Sequence, residues 1–453
     1  MKAWTRTEKP PRSSASARGN NHWRLDAVSL VCLVLFALTA TAVERPPNII
    51  LVLADDLGYG DLGSFGSTHI RTPHLDEMAR QGVRLTDFYA SGSNCTPSRA
   101  GLMTGRYTVR SGLAHQVIFV ADEHGLPAEE ITIAEMLKPL GYRTAIIGKW
   151  HLGHTPQHWP TTHGFDYFYG LPYSNNATPL ALYRGSSKIE EPVRQAMLIE
   201  RYTAEAIRFI EQHPDQPFFI YLPHTAPHVP LHVPDRFAGK SRAGLYGDVV
   251  EALDWSMGEL LNTIRRLGLD EHTLVIFTSD NGPYPQGSTG GLRGSKGTPW
   301  EGGYRVPFIA RWPGHIPAGA VSSGISMNID LLPTLGVITG APLPAGLKLD
   351  GKDIAGLLKG GSESPHDVLY YFSDERIAAL RTPNWKMLVR ARYRGIDRRL
   401  PEHDVLLLFD MRADPQERYS MAAHRPDKWQ ELQAYLARGQ QELEALPRKT
   451  GKN

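Results

Sequence analysis

Asn48-Ile-Ile-Leu-Val-Leu-Ala54, followed at once by Asp55-Asp56, is the stretch that decides the fold. A short apolar run closed by charge reads as a buried strand whose end carries two carboxylates. Three further runs have the same form. Arg143-Thr-Ala-Ile-Ile-Gly148 leads into Lys149-Trp-His151, Pro217-Phe-Phe-Ile-Tyr-Leu222 into Pro223-His224, and Thr273-Leu-Val-Ile-Phe-Thr278 into Ser279-Asp280-Asn281. Between them fall helical patterns at His74–Gln81, Thr132–Leu140, Ile199–Gln212 and Gly247–Leu267. In the last, Val249, Leu253, Met257, Leu260 and Ile264 recur at helical spacing. Strand–helix alternation predicts an α/β fold, a largely parallel sheet flanked by helices on both faces. In such sheets the site lies at the carboxyl ends of the strands, where all four predicted strands place polar residues.

The pattern changes after about residue 345. Asp367–Phe372, Ile377–Leu380, Trp385–Val389 and Val405–Phe409 read as short strands at hairpin-like spacing, and a polar amphipathic helix, Asp427–Leu446, closes the chain. The predicted organisation is a main domain over residues 43–350 and a smaller C-terminal α+β subdomain with an antiparallel sheet over 351–453.

Composition bounds what such a chain does. Of 453 residues, 41% are hydrophobic and 21% charged, which excludes a disordered tail or a repeat array. Lys+Arg at 49 against Asp+Glu at 47 leaves a formal net charge of +2, so nothing marks the whole chain for nucleic acid. Gly 43 and Pro 34 imply much loop, as in an enzyme whose site is built from loops.

Residues 1–26 carry Lys2, Arg6, Lys9, Arg12, Arg18 and Arg24 against Glu8 and Asp26. The apolar run Ala27–Ala37 and the small-x-small Ala40-Thr41-Ala42 follow, so residues 1–42 read as a secretory signal peptide with a long basic region. The 16 residues from Ala27 to Ala42 fall short of the ~20 that a spanning helix needs, and no stable membrane insertion is expected. Cleavage removes six positive and two negative charges and turns the net charge to about −2. Export to a periplasm, an extracellular space or a secretory or lysosomal lumen follows. Of the two cysteines, Cys32 and Cys95, only Cys95 survives cleavage, so no internal disulfide forms. Asn176-Ala-Thr178 is a glycosylation sequon.

Cys95-Thr-Pro-Ser-Arg-Ala-Gly-Leu-Met-Thr-Gly105 is the most informative stretch for chemistry. It resembles the type I, formylglycine-dependent sulfatase signature, C-x-P-S-R followed by T-G. A second element of that family stands at Gly141-Tyr-Arg-Thr-Ala-Ile-Ile-Gly-Lys-Trp-His-Leu-Gly153, and the Asp55-Asp56 pair and Ser279-Asp280-Asn281-Gly282 appear in the family's order. The resemblance covers roughly residues 46–345; Gly290–Gly303 and Arg305-Val-Pro307 look more like the arylsulfatase A and galactosamine-6-sulfatase branch than the choline-sulfatase one.

The resemblance implies an alkaline-phosphatase-like fold and an exported sulfuric ester hydrolase acting on a sulfated sugar or glycan, and on aryl sulfates. It implies that Cys95 is oxidised to formylglycine (3-oxoalanine) by a formylglycine-generating enzyme acting on the unfolded chain. A thiol attacking sulfate would leave a thiosulfate ester with no easy exit. An aldehyde hydrate offers two hydroxyls: one attacks sulfur and expels the alcohol, and the other loses its proton and ejects sulfate from the covalent intermediate.

Asp55, Asp56, Asp280 and Asn281 are hard oxygen donors suited to a hard divalent cation, and they match the family's ligands for one Ca²⁺, to which the modified Cys95 side chain is added. Arg99 would share a helical face with Cys95 and stabilise the hydrated aldehyde. Lys149 and His151 stand two apart at a strand end, and alternation puts them on one side. By resemblance Lys149 contacts sulfate and His151 is the base that breaks down the intermediate. His224 and Lys296 contact the ester, one of them protonating the leaving oxygen, and Ser174 matches a sulfate-binding serine. His228 and His232 follow His224 at steps of four among Pro223, Pro227, Pro230 and Pro234, and read as pocket-lining or surface residues rather than ligands. Two other functions fit parts of this pattern: a phosphomonoester or phosphonate-ester hydrolase of the same superfamily, and a non-catalytic binder of sulfated glycans.

Overall fold

The computed structural model describes residues 45–391 and 403–446; the predicted leader, 1–42, lies outside them. Its main body contains, in chain order, strands β1 (Asn48–Ala54), β2 (Val83–Leu85), β3 (Phe88–Tyr89), β4 (Arg143–Lys149), β5 (Tyr167–Leu171), β6 (Leu182–Arg184), β7 (Ser187–Glu190), β8 (Phe218–Pro223), β9 (Thr273–Ser279), β10 (Phe308–Arg311), β11 (Ala320–Ser322) and β12 (Ser326–Met327). Ten of them form one sheet in the order β11-β2-β10-β9-β1-β8-β4-β5-β6-β7, while β3 and β12 pair separately. The central five, β9-β1-β8-β4-β5, are mutually parallel. Antiparallel pairing enters only toward the edges, where β10 joins β9 and β6 joins β5.

The continuous apolar runs follow from this position. Ile50 and Val52 face one core and Ile49, Leu51 and Leu53 the other, so β1 is covered on both sides and has no polar face to alternate with. Helices Leu198–Gln212 and Gly244–Arg266 cover the first face. Leu198, Tyr202, Ala206 and Phe209 turn inward at three- and four-residue steps, as do Val249, Leu253, Met257, Leu260 and Ile264. Cys95–Thr104, Ile133–Leu137 and Leu331–Thr339 cover the second face. The Thr132 hydroxyl accepts from the Glu135 amide while the Glu135 carboxylate accepts from Thr132 N, a capping box that starts the Ile133 helix.

The α/β reading, with its largely parallel sheet and flanking helices, is the observed architecture. The C-terminal part is a four-stranded antiparallel sheet, β13 (Leu369–Ser373), β14 (Arg376–Arg381), β15 (Trp385–Ala391) and β16 (His403–Asp410), in simple sequential order. Helix Pro426–Gly439 packs on it. This sheet shares a core with the main body: Tyr89, Trp300 and Tyr304 pack with Tyr371, Leu380 and Met387. Among the described residues no helix is long and apolar enough to cross a membrane.

Candidate active site

Four neighbouring strands, β9-β1-β8-β4, end side by side, and their ends bring the predicted residues together. Asp55 and Asp56 follow β1, Asp280 and Asn281 follow β9, and Lys149 closes β4. Asp56 takes a left-handed backbone conformation, φ +66, which turns its amide onto Asp280 Oδ1 at 3.1 Å. Strained non-glycine backbone of this sort is tolerated where the surroundings fix it. Gly148, at φ +133, lets β4 pass the end of β8: a Cβ there would stand 1.9 Å from Pro223 O.

Cys95 is the first residue of a ten-residue helix buried on all sides. Its side chain therefore sits at the positive end of the helix dipole, where free amides favour an anion. The helix stops at Gly105, whose φ of +69 supplies the left-handed cap. Arg99, one turn after Cys95, donates from Nε to Asp280 Oδ2 at 2.9 Å and from Nη1 to Lys149 O at 2.8 Å, with Nη2 3.5 Å from Asp55 Oδ1. Lys149 Nζ lies 2.7 Å from Asp55 Oδ2 and 3.2 Å from Ser174 Oγ. Lys296 Nζ, from the Gly-rich loop, lies 2.8 Å from Asp56 Oδ2 and 3.3 Å from Cys95 Sγ.

All of these groups are buried, and unpaired charges there would be costly. Burial alone raises the Asp55 carboxyl, but Lys149, His228, Arg99 and Lys296 outweigh it and hold Asp55 well below the usual range. Asp280 goes the other way, to about 6, because burial and the Asp55 charge exceed the pull of Arg99. Burial pushes the Cys95 thiol up to about 12 despite Lys149 and Lys296, so the unmodified side chain is a protonated, weak nucleophile at neutral pH.

The oxygen donors fit a divalent cation. Donor atoms of Asp55, Asp56, Cys95 and His228 all lie within 4.8 Å of one another. Asn281 donates from Nδ2 to Asp56 Oδ1 at 2.7 Å, and its buried Oδ1 has no hydrogen-bond partner among the described residues. Three carboxylates plus an orphaned amide oxygen are a hard donor set, whereas thiol and imidazole alone would suit a softer metal.

The histidines are placed differently from expectation. His224 does not enter the cluster. Its amide continues the ladder onto Leu53 O at 2.9 Å, so alternation sends its side chain to the same face as Ile220 and Leu222. There its Nε2 meets Ser256 Oγ at 3.4 Å beside the Tyr202 ring. His228 reaches the site instead, with Nε2 3.7 Å from Asp56 Oδ2 and Nδ1 2.5 Å from Val229 O. The sequence signal was the parity of His224 with Leu222, together with Pro227 and Pro230, which end strand geometry and free His228 from the ladder. His232 is exposed, as is Asn176 of the sequon.

His151 joins the site by a different route from alternation. The strand has ended at Lys149, and His151 adopts φ +60. Its Nε2 is 3.0 Å from Ile118 O. A carbonyl only accepts, so Nε2 carries the proton and the buried Nδ1, without a partner among the described residues, keeps its lone pair. Burial, then the Lys149 and Arg99 charges, hold this imidazole well below its usual pKa and therefore neutral.

The fold is that of the alkaline-phosphatase-like α/β class, and it sets an acidic, cation-fitting cluster at parallel strand ends opposite Cys95 at a helix N-terminus. A family model described as Sulfatase matches residues 47–341, and one described as N-sulphoglucosamine sulphohydrolase, C-terminal, matches residues 296–446. Arylsulfatase A of Homo sapiens is 40% identical over 437 residues, covering 86% of this chain and 86% of that protein. N-acetylgalactosamine-6-sulfatase of Canis lupus familiaris is 38% identical over 392 residues, 79% of this chain and 73% of the relative. The crystal structure of PsFucS1 sulfatase from Pseudoalteromonas sp. superposes with a TM-score of 0.78 at 30% identity, covering 92% of this chain and 94% of that one. The chain belongs to the sulfatase family, and its chemistry is sulfuric ester hydrolysis.

Proposed function

We propose that this protein is an exported sulfatase that cleaves the sulfate ester of a sulfated sugar or glycan, and of aryl sulfates, through a formylglycine made from Cys95. The observation that carries the reading is the surroundings of Cys95. Its Sγ sits 3.5 Å from Asp55 Oδ1 and 3.3 Å from Lys296 Nζ, at a helix N-terminus, with the thiol itself disarmed by burial. A position so enclosed by charge suits an aldehyde hydrate and a sulfate group better than a free thiol. A formylglycine-generating enzyme must act before folding, because Cys95 is fully enclosed afterwards.

One Ca²⁺ held by Asp55, Asp56, Asp280, Asn281 and the modified residue 95 would supply positive charge for a sulfate oxygen. Arg99 steadies the hydrated aldehyde. Lys149 and Ser174 hold sulfate oxygens from the β4 side. One hydroxyl of the hydrate attacks sulfur, and the alcohol departs with a proton delivered from the Lys296 and His228 side, the place His224 was expected to fill. The neutral Nδ1 of His151 then takes the proton of the remaining hydroxyl, the carbonyl re-forms, and the Cβ–O bond that joins residue 95 to the sulfate breaks, releasing sulfate with that oxygen. The relatives named for arylsulfatase and N-acetylgalactosamine-6-sulfatase activity support the substrate class. The basic, apolar leader in residues 1–42 supports export.

Mass spectrometry of the peptide containing residue 95, with assays on an aryl sulfate, phosphate monoester and phosphonate ester, tests this reading. Conversion lowers the peptide mass by roughly 18 Da, as SH and a hydrogen give way to oxygen. Preferred hydrolysis of the sulfate is expected. An unmodified Cys95 in fully active enzyme, or a preference for the phosphorus esters, would overturn it.

A further inference from the structure

Glu417 holds both ends of the segment that carries Lys296. Its carboxylate Oε2 accepts the Glu301 amide at 2.8 Å, and its backbone carbonyl accepts Arg293 Nη1 at 3.0 Å. Between these anchors the chain is tied to itself: Gly302 N donates to Arg293 O at 2.7 Å, and the Arg293 guanidinium lies 3.7 Å over the Trp300 ring. Lys296 sits inside this closed segment, and its Nζ reaches Asp56 and Cys95.

The clamp is itself fixed from the C-terminal sheet. Lys386, on β15 and fully buried, places Nζ 2.8 Å from Glu417 Oε1 and 3.0 Å from Glu301 Oε1. Glu301 is held further by Tyr371 OH at 3.1 Å and Tyr89 OH at 2.9 Å. Glu417 has a left-handed backbone, φ +57, which a non-glycine residue keeps only where neighbours impose it. This fully enclosed carboxylate joins the β15 lysine through Oε1 to the end of the Lys296 segment through Oε2.

We infer that Glu417 is a positioning residue for Lys296: by joining Arg293 to Glu301 it sets where the Lys296 ammonium meets the leaving oxygen. The inference rests on the leaving-group assignment of Lys296 made above. Catalysis depends steeply on such placement, since an error of about 1 Å costs on the order of 100-fold. Loss of the clamp therefore reproduces, in weaker form, loss of Lys296 itself.

The experiment compares Glu417→Ala, Glu417→Gln, Arg293→Met, Lys296→Ala and the Glu417→Ala/Lys296→Ala double variant on 4-nitrophenyl sulfate and on a monosaccharide 6-sulfate. Metal content and thermal unfolding are measured in parallel. Glu417→Ala is expected to lower kcat on the sugar sulfate by about 10- to 100-fold and on the aryl sulfate by much less. Glu417→Gln can still accept the Glu301 amide through its one oxygen, with Nε2 then facing Lys386, so it should recover part of the rate lost in Glu417→Ala, while Arg293→Met should show the same leaving-group dependence as Glu417→Ala. In the Lys296→Ala background, Glu417→Ala should add less than about twofold. Equal losses on both substrates, or full additivity in the double variant, overturn the inference. Should Glu417→Ala not fold, Arg293→Met, alone and combined with Lys296→Ala, decides by the same criteria. A Lys296→Ala enzyme with no leaving-group dependence would instead refute the role of Lys296, a result separable from anything Glu417 does.

Discussion

Lys296 Nζ and Cys95 Sγ lie 3.3 Å apart although 201 positions separate them in the chain. One comes from a Gly-rich loop beyond β9 and the other from a helix N-terminus packed under β1 and β4. What makes them meet is the acidic pair between them: Asp56 binds Lys296 and Asp55 faces Cys95. The same carboxylates are the donors proposed for the cation. Charge balance and nucleophile placement are thus one structural problem.

Replacing Cys95 tests the nucleophile. Cys95→Ala takes only the residue-95 oxygen from the proposed cation donors, leaves the three carboxylates and Asn281, and fills most of the same space, so it should fold and not turn over. A residual rate above about one-thousandth of wild type would contradict a covalent role, given what loss of a nucleophile usually costs. Cys95→Ser should be equally inactive unless the host oxidises serine at this motif. Steady-state assays beside circular dichroism check both.

Removing the cation should abolish activity and lower the melting temperature. Asp55, Asp56 and Asp280 cluster without bulk water, and a bound cation stabilises the native state by linkage. Asp280→Ala carries a second defect, because it leaves the buried Arg99 with its strongest partner gone, at a cost of about 3–5 kcal/mol. Full activity after exhaustive chelation, with no metal found by elemental analysis, would exclude the metal reading.

Two histidines should divide the chemical steps. His151→Ala should release about one equivalent of alcohol in a burst and then stall with sulfate on residue 95, because its Nδ1, without a partner among the described residues, is the base proposed for the second step. His228→Ala and Lys296→Ala should slow the burst itself, more for sugar sulfates than for activated aryl sulfates. His224→Ala, whose ring lies against Ser256 and Tyr202, should change stability more than leaving-group dependence. Rapid-quench kinetics with intact-protein mass spectrometry read all four, and absence of trapped sulfate on the His151 variant would refute the division.

Asp254 predicts a pH dependence of stability away from the site. Burial raises its carboxyl to about 7, against hydrogen bonds from the Leu75 and His74 amides and with help from Asp76 and Glu251. The native state therefore holds a proton that the unfolded chain has already lost, and stability falls as pH rises from about 4 to 7. Asp254→Asn removes the titrating group and this slope, but its single Oδ1 can accept only one of the two amides, so the variant loses one hydrogen bond at every pH. Measured against wild type, its stability should therefore be higher at pH 8 than at pH 4 by a few kcal/mol, the wild-type slope that the variant lacks. Denaturant titrations at the two pH values measure it; a variant less stable at pH 8 than at pH 4, relative to wild type, would show the carboxylate is charged and favoured.

The amino-acid sequence by itself determined the architecture and the class of reaction. Continuous apolar runs such as Ile49–Ala54 have no polar face, so they are strands covered on both sides, and the strand and helix limits read from them lie within a few residues of those observed. The donor types in Asp55-Asp56 and Asp280-Asn281 were legible because local chemistry does not depend on neighbours distant in the chain. Three things were decided only by tertiary structure. The choice of His228 over His224 depends on where the strand ladder stops, which is set by pairing with β1. The place of His151 depends on a left-handed turn and on Ile118 O, neither of which a period-2 pattern contains. The hold of Glu417 on the Lys296 segment joins residues more than a hundred positions apart through a buried lysine. Such contacts arise from packing and from the need to pair every buried charge, and that need is met by whichever group the fold brings near.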